Sequence, residues 1–247
     1  MKYIIGYSGG KDSTATAILA YLLKKPVSEL VYCRVMFDEE TSAEVPEHER
    51  FLQEVAFPKL QKDFGLKIVT IRDPRNYVTL HNTPVSKGKH QGLLRGSPCC
   101  KGCWVLRDLK LKPLVQYRKA QGSEAKYYVG IAKDEENRLP NLSASNQISL
   151  LAECGYTERE AFELCKQHGL LSPIYDFAPR NGCFFCPNAK EKEMRHLRDH
   201  HPKLWHRLQE LEQTPGVVKK KYNRDLTLEE MEGNFDTDDR QIKLFDD

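Results

Sequence analysis

The opening run KYIIGYSGGKDSTATAILAYLL, residues 2–23, restricts the fold more than any other stretch. Residues 3–7 are a continuous apolar run of strand length, of the kind buried in a parallel sheet. SGGKDS follows at once, and residues 12–24 then carry apolar side chains at helical spacing. A strand turning through two glycines into a helix is the first half of a βαβ unit. Apolar runs at 30–37, 66–71 and 126–132 alternate with helical periodicities at 44–64 and 104–120, with Pro113 a kink or boundary in the latter. The expectation is an α/β protein: a parallel sheet with helices on both faces, plus a smaller cysteine-containing helical region towards the C-terminus.

From residue 141 the character changes. TEREAFELCKQHG (157–169) begins with Thr157 and has Glu160 three residues on, the capping-box spacing. Residues 171–190 are irregular and aromatic, and 189–212 read as one charged amphipathic helix. The expected divisions are 1–140 (an α/β domain), 141–213 (a helical region) and 214–247 (a weakly ordered tail), and the motifs below make the first nucleotide-binding and the second metal-binding. Residues 72–98 have no clear period, and a loop that long in a compact domain is usually functional or mobile. No apolar run approaches the roughly 20 residues of a membrane span, and the N-terminus enters a strand directly. A cytoplasmic protein without a membrane partner is expected.

At the end of the first strand, Gly9 and Gly10 let backbone approach a ligand closely. The helix N-terminus that follows offers amides and a positive dipole to phosphate. Lys11 adds a full charge, and Ser8 and Ser13 add hydroxyls. The spacing is neither GxxxxGK[ST] nor GxGxxG.

Five of the eight cysteines fall in two clusters, CCKGC (Cys99, Cys100, Cys103) and CFFC (Cys183, Cys186). Two Cys-x-x-Cys turns can close a four-sulfur site for a [4Fe–4S] cluster or zinc. Cys100, Cys103, Cys183 and Cys186 give the better two-turn geometry, with Trp104, Phe184 and Phe185 as its walls. His196, His200 and His201 offer a mixed cysteine–histidine zinc site as an alternative. Cys33, Cys154 and Cys165 read as small buried hydrophobes.

Between Lys87 and Lys119 nine basic residues face one acid, Asp108, a local charge of +8 in a chain whose total is +3. Such a window attracts a polyanion, whether nucleotide phosphates or a nucleic-acid backbone.

SGGKDS after the first strand resembles the signature of the PP-loop ATP pyrophosphatase superfamily. That resemblance implies a Rossmann-like, adenine nucleotide alpha-hydrolase-like domain, and it makes Ser8, Gly9, Gly10, Lys11, Asp12 and Ser13 the phosphate-binding set for ATP with Mg. It also places Asp38 on the adenosine side. The paired cysteine clusters, roughly eighty residues apart, resemble the iron–sulfur members of the phosphoadenosine and adenosine phosphosulfate reductase family. That family's K-x-x-P-L is matched by Lys110, Pro113 and Leu114, and VGIAKDEENR is similar to its Gly-Ile-x-x-Asp-Glu…Arg segment, which adds Gly130, Asp134, Glu135 and Arg138. The family pattern prefers Cys99–Cys100 as the first ligand pair, so the four ligands remain open among five thiols. CKGCWVLR also resembles the CxxCxxLR of tRNA thiolation enzymes, and a PP-loop joined to a cysteine cluster is similar to a DNA phosphorothioation component.

Two features depart from the assimilatory reductases. Their first loop has drifted from SGGKDS, whereas here it is intact. Their C-terminal nucleophile lies in Glu-Cys-Gly-Leu-His, whereas residues 221–247 contain no cysteine and the internal Glu153-Cys154-Gly155 is coincidence. The resemblances therefore imply ATP-dependent activation of an anionic acceptor, forming AMP and pyrophosphate and coupled to sulfur transfer. Lys11, Cys99 and Lys110 are the catalytic candidates, and a sulfur-donor protein or thiol reductant is the implied partner. Sulfonucleotide reduction, and a nucleotide-dependent nucleic-acid-binding module with structural zinc, are the alternatives.

Overall fold

The computed structural model describes residues 1–98, 102–142, 145–223 and 225–245, with side chains described up to residue 237, that of Asn141 excepted. The chain forms two compact units. The first comprises 1–35, 44–73 and 110–181; the second comprises 36–43, 74–109 and 182–247.

The first unit holds a five-stranded, all-parallel sheet in the order β3-β2-β1-β4-β5. Its strands are β1 (Tyr3–Tyr7), β2 (Glu29–Cys33), β3 (Ile68–Ile71), β4 (Lys126–Tyr128) and β5 (Gln147–Ile148). β1 is central: Ile5 sits opposite Leu30 on one side and Tyr128 on the other. The pleat sends alternate residues to opposite faces. Ile5 and Tyr7 enter a core shared with residues of α1 (Lys11–Leu22) and α7 (Glu158–Gln167), while Ile4 and Val31 meet Leu114 and Tyr117 of α5 (Lys112–Ala120) on the other face. Helices thus cover both faces, and the unit is α/β and Rossmann-like.

Helix α1 is buried from Ser13 to Ala20, so its composition of Ala, Thr, Ile and Leu suits a central position. The periodic stretch 44–64 forms α2 (Pro46–Phe51), a π-helical turn (Leu52–Ala56) and α3 (Phe57–Lys62). A second π segment, Val105–Leu111, precedes α5. Both π segments end just before a helix with proline at its second residue, Pro58 or Pro113. Proline lacks the N–H that would bond the carbonyl four residues back, and a wider turn absorbs that break.

Strand β2 stops at Cys33 and β4 at Tyr128, each short of the apolar run that announced it. β5 had no such run to announce it.

In the second unit, α4 (Tyr77–His81) packs its Tyr77 ring 5.4 Å from Trp104, 5.4 Å from Phe37 and 4.1 Å from Phe185. The expected single helix over 189–212 is two, α8 (Glu191–His200) and α9 (Pro202–Glu212). His201 adopts φ −131° and ψ 55°, because the residue before a proline is driven out of the helical region. Residues 214–247, read from sequence as a weakly ordered tail, include α10 (Leu228–Phe245), which buries Leu228, Met231 and Phe235. Two cation–π contacts complete that helix's seat: the Arg195 and Arg198 guanidinium groups both lie over the Phe235 ring, at 4.6 and 5.0 Å. Among the described residues, no helix is long and apolar enough to cross a membrane.

Candidate nucleotide site and cysteine cluster

The glycine loop leaves the carboxyl end of β1, between β2 and β4. The strand order runs outwards in opposite directions from this point, which is where open α/β sheets bind ligands. Gly9 has φ +76°, a conformation open to glycine. A Cβ there would also lie 2.4 Å from Leu52 Cδ2 and 2.8 Å from His48 Nε2. Gly10 precedes α1 in an extended conformation without a side-chain cap.

The serines wire the loop together. Ser8 and Ser13 hydroxyls lie 3.2 Å apart, Ser13 Oγ donates to the Gly10 carbonyl at 3.0 Å, and the Ser8 and Gly10 amides donate to Ser13 and Ser8 hydroxyls. Both hydroxyls therefore shape the loop in this state.

Lys11 is fully engaged. Its amide donates to Tyr175 Oη at 2.7 Å, and its ammonium sits 2.9 Å from Asp12 Oδ2 and 2.6 Å from Glu158 Oε2. The Glu158 and Asp12 carboxylates hold the Lys11 pKa above its ordinary value despite burial. Asp12 is pushed up, chiefly by burial and further by the charges of Glu158 and Glu135, against the pull of Lys11.

Four residues missed by sequence reasoning surround the loop. His48 is fully buried, with Nδ1 2.8 Å from Ser172 Oγ and Nε2 3.4 Å from the Ser8 carbonyl. Asn181 Nδ2 donates to the same carbonyl at 2.8 Å, and Tyr175 and Glu158 hold Lys11. Burial lowers the His48 pKa to about 4, with the Lys110 charge adding to the effect. The irregular aromatic stretch 171–190 was the one signal: Ser172, Tyr175 and Asn181 all come from it.

Of the expected nucleotide residues, Gly130 lies against the loop: a Cβ there would be 2.6 Å from the backbone of Asp12 and Ser13. Asp134 accepts the Glu158 amide at 3.1 Å, and Glu135 accepts the Ala132 amide and pairs with Arg138. Asp134 and Glu135 thus act as turn and helix caps. Lys110 lies at the end of the second π segment, where its carbonyl accepts from Cys33 Sγ at 3.6 Å and its charge reaches Glu44. Asp38 belongs to the second unit. There it accepts the Thr41 and Glu40 amides and pairs with Arg207; burial raises its pKa, but these donors outweigh it and the net shift is downward.

Cys99, Cys100 and Lys101 lie outside the described residues. Cys103, Cys183 and Cys186 are half-buried and not in disulfides. Cys183 and Cys186 form a turn in which the Cys186 amide donates to the Cys183 carbonyl at 3.0 Å, and the turn itself is anchored by Phe184 N–H on the Ala43 carbonyl. Tyr77 is pushed upward by burial and by its electrostatic interaction with Cys183 and Cys103; Tyr222 is raised by burial and by Tyr77, Cys186 and Cys183. All three thiols therefore sit within electrostatic reach of one buried tyrosine pair, beside Phe184, Phe185 and Trp104, which are buried as expected. A set of soft thiols fits either a [4Fe–4S] cluster or zinc.

His196 and His200 stack at 4.2 Å along α8. Cys33 and Cys165 are buried, as expected of small hydrophobes, but Cys154 is exposed at the end of α6 (Leu150–Glu153). Part of the basic window is internally neutralised, since Arg95 and Arg107 both pair with Asp108. No family model matches the chain, and no curated protein matches it in sequence.

Proposed function

We propose that the protein is a PP-loop enzyme of the phosphoadenosine phosphosulfate reductase family that cleaves ATP to AMP and pyrophosphate and couples the activation to sulfur transfer. The observation that carries this reading is the position of SGGKDS at the strand-order reversal of a parallel sheet, pressed between Gly130 and the buried His48. An oxygen of the acceptor attacks the α-phosphate, the acceptor–phosphorus bond forms, and the α–β anhydride breaks. Lys11, once a carboxylate partner has swung away, stabilises the departing pyrophosphate together with the positive end of α1. A sulfur donor then displaces AMP from the activated acceptor.

Cys103, Cys183 and Cys186, with Cys99 or Cys100, would hold the metal group, and a [4Fe–4S] cluster would supply sulfur or redox chemistry there. Cys99, if left outside the ligand set, is the candidate sulfur-handling thiol, and Lys110 is a further catalytic candidate. The intact SGGKDS loop favours ATP over a ready-made sulfonucleotide.

The test is anaerobic purification with iron, sulfide and zinc analysis, combined with an assay of AMP and pyrophosphate formed from ATP on the same sample. Iron with AMP formation supports the proposal. Iron without ATP cleavage but with sulfite release from a phosphosulfate moves the assignment to a reductase. Zinc alone with no turnover overturns both.

A further inference from the structure

We propose that Glu158 is a specificity-determining residue of this site, biasing the loop towards the magnesium complex of a nucleotide polyphosphate and against the free polyanion. The inference rests on the ATP-binding reading above.

One ammonium, Lys11, faces two carboxylates, at 2.9 Å from Asp12 and 2.6 Å from Glu158, so the trio carries a net charge of −1. A free polyphosphate entering this cradle must detach a carboxylate from Lys11 and then remain beside it. A polyphosphate carrying Mg²⁺ brings two compensating charges and meets less repulsion. Charge of this sign close to a binding loop selects between ligand forms by repulsion as well as attraction.

The two carboxylates are not equivalent. Asp12 adjoins Lys11 in sequence and its side chain is 25% exposed; that of Glu158 is 50% exposed and can return to water. The Glu158 backbone, in contrast, is fixed. It opens α7 within the Thr157–Glu160 capping box, and its amide is held by Asp134. Four residues on, Phe162 packs edge-on against Tyr175 at 5.9 Å, and Cys165 Sγ donates to the Lys11 carbonyl at 3.1 Å. The carboxylate can therefore swing away from Lys11 but remains within the screening distance of the loop's charges. Asp134 and Glu135 are engaged elsewhere, by the Glu158 amide and by Arg138.

Calorimetric titration of the full chain and of Glu158→Gln with inorganic pyrophosphate and with ATP, in EDTA and then in excess Mg²⁺, tests the proposal. The neutral isostere is expected to bind the metal-free ligands about fivefold more tightly, the size of a half-exposed ion pair. Affinity for the magnesium complexes should stay level or fall, so that the preference for them shrinks, and the gain should diminish with added salt. Unchanged or weaker metal-free binding by Glu158→Gln, with wild-type binding intact, overturns the role of Glu158 alone. Absence of ATP and pyrophosphate binding in both proteins, with equal melting temperatures, overturns the nucleotide reading itself.

Discussion

His48 Nδ1 lies 2.8 Å from the hydroxyl of Ser172, a contact across 124 residues that fastens the helix flanking the glycine loop to the segment that caps it. The other ring nitrogen faces the Ser8 carbonyl, so this imidazole touches the loop and its support together. Neither contact has a local sequence signature.

The burial of His48 makes stability depend on pH in a way that Glu44 opposes. His48 has its pKa lowered to about 4 in the folded chain, so between there and its ordinary value of 6.5 the unfolded chain binds more protons. Its contribution, about 3 kcal/mol, is full above that window and lost as pH falls through it. Glu44 is raised to about 7 by burial, so its contribution is full below its ordinary 4.5 and lost as pH rises towards 7. The two slopes nearly cancel. His48→Gln should therefore leave a protein whose melting temperature falls from pH 4.5 to 7, and Glu44→Gln one whose melting temperature rises over the same range. Thermal melts of both variants showing parallel, flat profiles would contradict these environments.

Gly130 is required for space. Its added Cβ would meet the backbone of Asp12 and Ser13 at 2.6 Å, and backbone cannot rotate aside. Gly130→Ala should cost about 1–3 kcal/mol through overpacking and weaken ATP binding by displacing the head of α1. Gly233→Ala in α10 meets nothing within 4 Å and should leave stability unchanged or slightly raised. Equal melting temperatures for Gly130→Ala and wild type would show that α1 can shift freely.

The strand–loop–helix start was legible because every determinant is local: a continuous apolar run, two glycines and a helical period within 22 residues. The capping box placed the start of α7 for the same reason. That Glu158 then reaches Lys11, 147 residues earlier, was not legible, because the contact depends on how α7 lies against α1. β5 escaped notice because two residues carry no period. The break between α8 and α9 was written in Pro202, but the charged amphipathic pattern continues across it and masks the boundary.

Nucleotide chemistry and metal binding should separate by mutation, because their residues belong to different compact units. In the proposed reaction Lys11 supplies the charge that offsets departing pyrophosphate, and Lys11→Ala removes it. It should lower pyrophosphate release by 10²-fold or more, in line with losing a charged stabiliser of a developing anion, while metal content stays at wild-type level. Cys183→Ser replaces a soft thiolate with a hydroxyl, a poor ligand for iron–sulfur clusters and for zinc, so bound metal should fall sharply with the fold retained. Metal analysis and a pyrophosphate assay on both variants give a two-by-two comparison. Full metal in Cys183→Ser would remove this cysteine from the ligand set. Loss of metal and activity together in Lys11→Ala, with a lowered melting temperature, would mean that Lys11 acts through folding: its ion pairs with Asp12 and Glu158 would then matter more than the phosphate they await.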